Sequence, residues 1–154
     1  PAPVLHDLFP YGWSDSFRSF ENIFIVLPSA ADVMSFQPDM ARIATLAPMG
    51  LGITAAGGQT HDGTPVDFVS RYFAPAAGIP EDPVTGSAHA SLVPYWATRL
   101  GRTDMTAFQA SFRGGFVKCR LAGDRVVLSG HAVTYLRGTI YLPEAKAEQV
   151  SKRA

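Results

Sequence analysis

The chain alternates short apolar runs with turn-forming residues, and most runs have the length of a strand. Residues 22–27 (NIFIVL) are apolar after Asn22 and end at Pro28, which predicts a strand buried on both faces. Residues 50–56 predict a second strand, and residues 66–73 alternate apolar and polar positions as a half-buried strand does. Later in the chain the pattern predicts four more strands, at 108–112, 115–121, 125–129 and 133–142.

Two helices interrupt the strands. Apolar residues at intervals of three and four predict a helix over about 38–46, with Pro38 in its first turn. A second helix follows the loop 73–85 and runs to about residue 100, where Gly101 provides a C-cap. No Asp, Glu, Lys or Arg occurs in 83–98, so we expect this helix to be buried on most sides and wrapped by the strands.

The order of these elements favours an α+β fold over a doubly wound parallel sheet. The last four strands follow one another through short turns, which implies antiparallel pairing. We therefore predict one domain, residues 1–154, in which a mixed, largely antiparallel sheet wraps around a central buried helix.

Composition narrows the classes of function. The chain has 154 residues, of which 47% are hydrophobic and 17% charged, enough apolar mass for a packed core. Thirteen basic residues balance 13 acidic ones without a basic run, which argues against a nucleic-acid partner. No apolar stretch approaches the roughly 20 residues that cross a bilayer, so no membrane partner is predicted. The one cysteine, Cys119, cannot form an internal disulfide; we expect a buried structural thiol and a cytoplasmic location.

The start of the second helix is the candidate binding site. A helix N-terminus presents unpaired N–H groups and a partial positive charge, and both attract anions. The hydroxyl groups of Thr85 and Ser87 add donors beside Gly86, which predicts a site for a carboxylate or phosphate. An alternative stays open at this point: Asp82 or Thr85 caps the helix, with Pro83 at its first position.

Other kinds of site find less support in the sequence. Asp82, Ser87 and His89 contain the residue types of a hydrolase triad, but side chains two positions apart on a helix point away from each other. The G-x-S-x-G elbow is also missing, so we expect His89 to be packed or to line a cleft. The four histidines are scattered without a second ligand at a usual spacing, and no metal is predicted.

Residues 71–75 (RYFAP) and 78–89 (GIPEDPVTGSAH) closely resemble the signature of the phenazine-biosynthesis (PhzF-like) isomerases, which share the diaminopimelate epimerase fold. The resemblance implies a protein of two similar halves, each a sheet around a central helix, with the active site where the two helix N-termini face each other. This chain looks like the second, C-terminal half alone.

The resemblance also implies the chemistry. It predicts cofactor-independent proton transfer at a carbon atom of a small carboxylate substrate. Asp82 matches the acidic residue that assists proton transfer, and Thr85, Gly86 and Ser87 match the substrate-binding helix start. Thr85 stands where related epimerases carry an acid/base cysteine, which excludes a two-thiol mechanism because a Thr hydroxyl is too weak an acid.

The general acid/base of the family is a Glu from the first half. None of the four Glu residues here has that motif's context: Glu21, Glu81, Glu144 and Glu148. We therefore expect the chain to be inactive alone and to need the missing N-terminal half or a second copy, with a homodimer as one arrangement. The alternative is a non-catalytic domain that binds a small acid or dimerises.

Overall fold

The computed structural model of the chain describes residues 3–20, 22–48 and 50–142. The regular elements, in chain order, are α1 (Pro3–Leu8), β1 (Asp15–Ser19), β2 (Asn22–Val26), α2 (Ala30–Ser35), α3 (Met40–Ala44), β3 (Gly50–Ala56), β4 (Phe68–Phe73), a 3-10 turn (Pro75–Ala77), α4 (Gly86–Leu100), β5 (Asp104–Gln109), β6 (Gly115–Ala122) and β7 (Arg125–Ser129).

All of these strands belong to one sheet, and they lie in it in chain order from β1 to β7. The pairs β2–β3 and β4–β5 are parallel, because helical segments connect those strands. The remaining pairs of the described strands are antiparallel. The sheet is thus mixed and largely antiparallel, and the predicted α+β fold class is confirmed.

Strand β2 shows why both faces of the sheet are covered. Every residue of β2 is buried, as the continuous apolar run predicts. Ile23 and Ile25 face a core that includes α1, α2 and α3, whereas Phe24 and Val26 face α4. Neighbouring side chains of a strand point to opposite faces, so a strand with helices on both sides must be apolar throughout.

Two helices on the first face, α2 and α3, start at side-chain caps. Ser29 Oγ accepts a hydrogen bond from the amide of Asp32 at the start of α2, and Asp39 does the same for Arg42 at the start of α3. The predicted helix over 38–46 is therefore shorter than expected, and α1 was not predicted. Their buried residues, including Leu5, Val33 and Ile43, close this core.

Helix α4 occupies the other face, and the sheet curls around it. Ser91 Oγ donates to Ser19 Oγ at 2.9 Å, and Tyr95 donates to Asp15 at 3.0 Å, so the β1 edge reaches the helix. Leu128 of β7, the opposite edge, packs against the same core. The predicted helix limits are confirmed, and Gly101 ends α4 with a φ of 65°.

Burial of α4 is incomplete on one side. Its buried residues include Ala88, Leu92 and Trp96, which face the sheet. An uncharged stripe remains exposed between the two sheet edges: Ser87, Ala90, Pro94 and Thr98. The absence of charge between Gly86 and Thr98 thus reflects burial on most of the helix circumference and a small polar or apolar stripe on the rest.

The predicted strand over 133–142 is wrong. Residues 130–142 form no regular secondary structure, because no described strand edge pairs with them. Six large apolar side chains of this segment are largely exposed: Val133, Tyr135, Leu136, Ile140, Tyr141 and Leu142. The predicted strand over 108–112 is shifted, since β5 ends at Gln109 and a turn follows, in which the Gly114 amide donates to the Ser111 carbonyl.

Cys119 is buried on β6, facing the α4 core, as expected for a structural thiol. Within the described ranges, no helix combines the length and apolar character needed to cross a membrane.

Candidate functional site

The start of α4 is uncapped and open. Thr85 is the N-cap residue, but its side chain makes no capping hydrogen bond, and Pro83 lies before the helix instead of in its first turn. Gly86 and Ser87 are exposed, and a Cβ atom added to Gly86 would meet nothing within 4 Å. The first N–H groups of the helix therefore face open space, where an anion can satisfy them.

Thr85 turns its side chain towards Asp82 instead. The Thr85 hydroxyl donates a 2.7 Å hydrogen bond to Oδ2 of Asp82. Asp82 is half-buried, and its own amide donates to the Tyr72 carbonyl at 2.9 Å. The carboxylate is thus fixed a few residues before the helix start, with one oxygen oriented by Thr85.

A residue that sequence reasoning missed, Gln109, connects these groups. Its side chain is fully buried at the end of β5. Its Oε1 accepts from the Thr85 amide at 2.8 Å, and its Nε2 donates to the Asp82 carbonyl at 2.6 Å and to Thr85 Oγ1 at 3.1 Å. One amide therefore holds both Asp82 and Thr85. No signal in the sequence distinguishes it from a polar residue on the solvent face of a strand.

The turn between β5 and β6 braces the same loop from the other side. Ser111 Oγ donates to the Pro83 carbonyl at 2.9 Å. Gly115 packs so closely that an added Cβ would lie 2.0 Å from Val84 Cγ2, which only glycine avoids. The loop 82–85 is therefore held by side-chain hydrogen bonds and by close packing.

The adjacent acidic residues have separate roles. Glu81 forms a paired contact with Arg71, at 2.7 Å to Nε and 3.1 Å to Nη2, and Arg71 also donates to the Phe36 carbonyl at 2.7 Å. Glu81 therefore ties the loop to the end of α2, while Asp82 faces Thr85. The other three Glu residues lie outside the described residues.

His89 is fully buried one turn into α4. Its Nδ1 lies 2.8 Å from the Thr85 carbonyl, and its Nε2 has no hydrogen-bond partner among the residues that the structure describes. Burial lowers the pKa of His89, although the Thr85 carbonyl opposes this, so the ring is neutral near pH 7. The ring bonds the backbone and not the Ser87 hydroxyl, and no hydrolase triad forms.

A cavity of about 580 Å³ lies beside the helix start, and we call it the α4 cavity. Its lining residues come from the start of α4, the β5–β6 turn and the end of β7: Val84, Gly86, His89, Arg113, Gly114, Gly115, Phe116, Val117, Leu128, Ser129, Gly130 and His131. Of the predicted site residues, Gly86 lines this cavity, whereas Asp82, Thr85 and Ser87 do not. In the described part of the chain, no three His, Cys, Asp or Glu side chains are grouped to hold a metal ion.

Comparison with known proteins identifies relatives over most of the chain. The family described as phenazine biosynthesis-like protein matches residues 14–138. An uncharacterized isomerase of Pseudomonas aeruginosa is 48% identical over 128 residues, which cover 83% of this chain and 47% of the relative. A second uncharacterized isomerase of the same organism is 43% identical over 122 residues, covering 79% of this chain and 45% of that protein.

A solved structure shares the fold. The crystal structure of a phenazine biosynthesis protein of the PhzF family from Enterococcus faecalis superimposes with a TM-score of 0.78 at 36% identity. The match covers 92% of this chain and 52% of that structure. The chain thus spans about half the length of the relatives it matches.

Proposed function

Because the chain belongs to the phenazine biosynthesis-like protein family, we propose that it supplies one half of an isomerase active site for a small carboxylate substrate. The reaction is proton transfer at a carbon atom, without a cofactor. The observation that carries this proposal is the fixed carboxylate of Asp82 just before an uncapped, open helix start. Relatives that match most of the chain are named isomerases.

In this proposal, the start of α4 binds the substrate carboxylate. The amides of Gly86 and Ser87 donate to it, and the Ser87 hydroxyl adds a further donor. Helix N–H groups are fixed in place before the ligand arrives, so they stabilise negative charge that develops during proton transfer without reorganising. Thr85 contributes to the site through its hydrogen bond to Asp82, which orients that carboxylate.

Asp82 is the catalytic group of this half. Its Oδ2 is occupied by the Thr85 hydroxyl, which leaves Oδ1 to accept a proton or a hydrogen bond from substrate. A positioned carboxylate can move a proton in the transition state as a general acid or base. A second acid/base group on the opposite side of the carbon atom completes the transfer, and Glu81 is unsuited because Arg71 holds it.

We propose that the second group comes from a further domain, either the other half of a longer protein or a second copy. Two features support a partner surface. The stripe Ser87, Ala90, Pro94 and Thr98 on α4 is exposed and uncharged, and the segment 133–142 exposes large apolar side chains such as Tyr135 and Ile140. Exposed apolar surface of this kind is typical of an interface.

The proposal is tested by hydrogen exchange at carbon. A panel of small carboxylates is incubated in D2O with the complete protein, in which this chain is combined with the proposed second half. NMR then detects deuterium that replaces a C–H proton. We expect exchange for at least one acid, and we expect Asp82→Ala to remove it while the chain stays folded, with a loss of about 1–2 kcal/mol in the free energy of unfolding from the Thr85 contact.

Asp124→Ala is the matched control, since Asp124 is an exposed acid in the β6–β7 turn. It should leave the exchange rate unchanged. Full exchange in Asp82→Ala would reduce Asp82 to a structural residue. Binding of carboxylates by every variant with no exchange would favour a non-catalytic acid-binding domain.

A further inference from the structure

Two buried polar side-chain atoms have no hydrogen-bond partner among the residues that the structure describes. They are Ser70 Oγ on β4 and His89 Nε2 on α4. Ser70 is 2% exposed and His89 is 0% exposed, so neither side chain is open to bulk water. Buried polar groups of folded proteins are nearly always hydrogen-bonded, and an unpaired one is unfavourable, so both atoms need an explanation.

Ser70 belongs to a row of three polar residues that crosses the sheet beneath α4. Thr54, Ser70 and Gln109 are in register on β3, β4 and β5. Ser70 points to the α4 side of the sheet, because it lies two positions from Phe68, which belongs to the α4 core. All three polar side chains are buried. Polar groups in such an apolar core need hydrogen bonds from α4 or from one another.

The two outer members of this row bond to α4 and its N-cap residue. Gln109 Oε1 accepts from the Thr85 amide at 2.8 Å, at the start of the helix. Thr54 Oγ1 accepts from Trp96 Nε1 at 3.0 Å, about three helical turns later. The row therefore runs along the helix, with β5 at the helix start and β3 near its end.

His89 and Ser70 occupy the middle of the same layer. His89 lies between Thr85 and Trp96 along the helix, and Ser70 is the middle residue of the row. The ring centroid of Phe68 lies 6.0 Å from that of His89 and 6.0 Å from that of Trp96. The two orphan atoms therefore lie in the same part of the contact between β4 and α4, enclosed by apolar side chains.

The hydrogen bonds already present define what each atom can still do. A backbone carbonyl only accepts, so His89 Nδ1, 2.8 Å from the Thr85 carbonyl oxygen, carries the ring proton. Nε2 of the neutral ring is then an acceptor. The Ser70 hydroxyl both donates and accepts, and Gln109 Oε1, on the neighbouring strand, has a second lone pair besides the one that accepts from Thr85. One donor and two acceptors thus surround this point.

We propose that Ser70 and His89 together bind one internal water molecule. Ser70 Oγ donates to the water oxygen, and the water donates one hydrogen to His89 Nε2. Gln109 Oε1 accepts the second hydrogen, which gives three hydrogen bonds, the usual number for a buried water. This water completes the polar layer between α4 and the sheet, and it keeps His89 in the tautomer that donates to the Thr85 carbonyl. The site goes beyond the proposed function and depends neither on Asp82 nor on a reaction.

A crystal structure of the 154-residue chain that resolves ordered waters tests the site directly. We expect one water within about 2.5–3.2 Å of both Ser70 Oγ and His89 Nε2. The proposal is overturned if either atom bonds a protein group instead, or if no water lies between them. In solution, ¹⁵N-histidine NMR should show His89 with a protonated Nδ1 and an unprotonated Nε2, and the opposite tautomer would overturn the assigned hydrogen bonds.

Paired substitutions test the same contact through stability. Ser70→Ala and His89→Phe each remove one side of the water site, so the unfolding equilibrium constant of the double variant should change less than the product of the two single effects, by about 2-fold or more. Ser19→Ala is the control, since its hydroxyl bonds Ser91 and β1 lies three strands from β4. Its effect and that of His89→Phe should multiply.

Independent effects of Ser70→Ala and His89→Phe would contradict a shared water. If a variant fails to fold, the crystal structure and the NMR measurement on the unaltered chain decide the question, because both observe the two atoms without a substitution.

Discussion

The hydroxyl of Thr85 donates to the carboxylate of Asp82 at 2.7 Å, although Thr85 is the N-cap residue of α4 and could have capped the helix instead. This contact leaves the helix start open and orients the acid beside it. A capping threonine would have satisfied an amide and closed the anion site.

Thr85→Val should destabilise the chain by about 1–2 kcal/mol, because the buried hydroxyl bonds both Asp82 and Gln109. Chemical denaturation measures the free energy of unfolding. Thr98→Val is the control, since Thr98 is exposed on the same helix and bonds only the Pro94 carbonyl. Equal effects of the two substitutions would contradict the importance of the Asp82 contact.

Gln109→Leu should be more damaging, by about 2–4 kcal/mol. Leucine fills a similar volume but leaves the Thr85 amide and the Asp82 carbonyl without their buried partner, at about 1–3 kcal/mol each. The same denaturation experiment measures this loss. Gln59→Leu, at an exposed position, should change stability by less than about 0.5 kcal/mol. A similarly small loss for Gln109→Leu would show that the loop 82–85 keeps its conformation without the hydrogen bonds of Gln109.

Stability should fall in mildly acidic solution because of His89. Burial lowers the pKa of His89 in the folded chain, while the unfolded chain has the ordinary value of about 6.5. Below pH 6.5 the unfolded state therefore binds more protons, and stability decreases by up to about 1.4 kcal/mol per pH unit. Denaturation between pH 7 and 5 should show this slope in wild type and a flatter one in His89→Phe.

His131→Gln is the control for this experiment, because His131 is exposed. That variant should keep the wild-type slope. The same slope in His89→Phe would mean that other groups cause the loss of stability, and that the His89 ring gains a proton without cost in the folded chain.

The Cys119 thiol should be inert in the folded chain. Burial, with a smaller contribution from the charge of Asp67, raises its pKa to about 12, and the thiolate is the reactive form. Ellman's reagent at pH 8 should therefore detect no thiol until a denaturant is added, and then one per chain. Rapid reaction without denaturant would show that β6 opens or that the thiol is accessible.

The elements predicted best are those whose own sequence contains the reason for their structure. The predicted strand at 125–129 matches β7 to the residue: the apolar run 126–128 follows the turn at Gly123, and burial alternates along the strand. Helix α4 carries no Asp, Glu, Lys or Arg before Arg99 and is capped by Gly101 in a left-handed conformation. In both cases a local pattern and the tertiary contacts favour the same structure.

The errors concern residues whose structure depends on a distant neighbour. Strand β1 (DSFRS) has one large apolar residue, Phe17, and is a strand because β2 pairs with it at the sheet edge. The segment 133–142 has a strand-like pattern but no partner edge in the described chain. The burial of Gln109 depends on Asp82 and Thr85, which lie more than 20 residues earlier in the chain. The resemblance located the loop 78–89, whereas the hydrogen bonds that hold it had to come from the structure.

The central claim is that the open start of α4 binds a carboxylate beside Asp82. A crystal of the chain soaked with acetate tests it most directly. We predict a carboxylate whose oxygens lie within hydrogen-bond distance of the Gly86 and Ser87 amides. Acetate bound only elsewhere, with those amides bonded to protein groups, would contradict the claim.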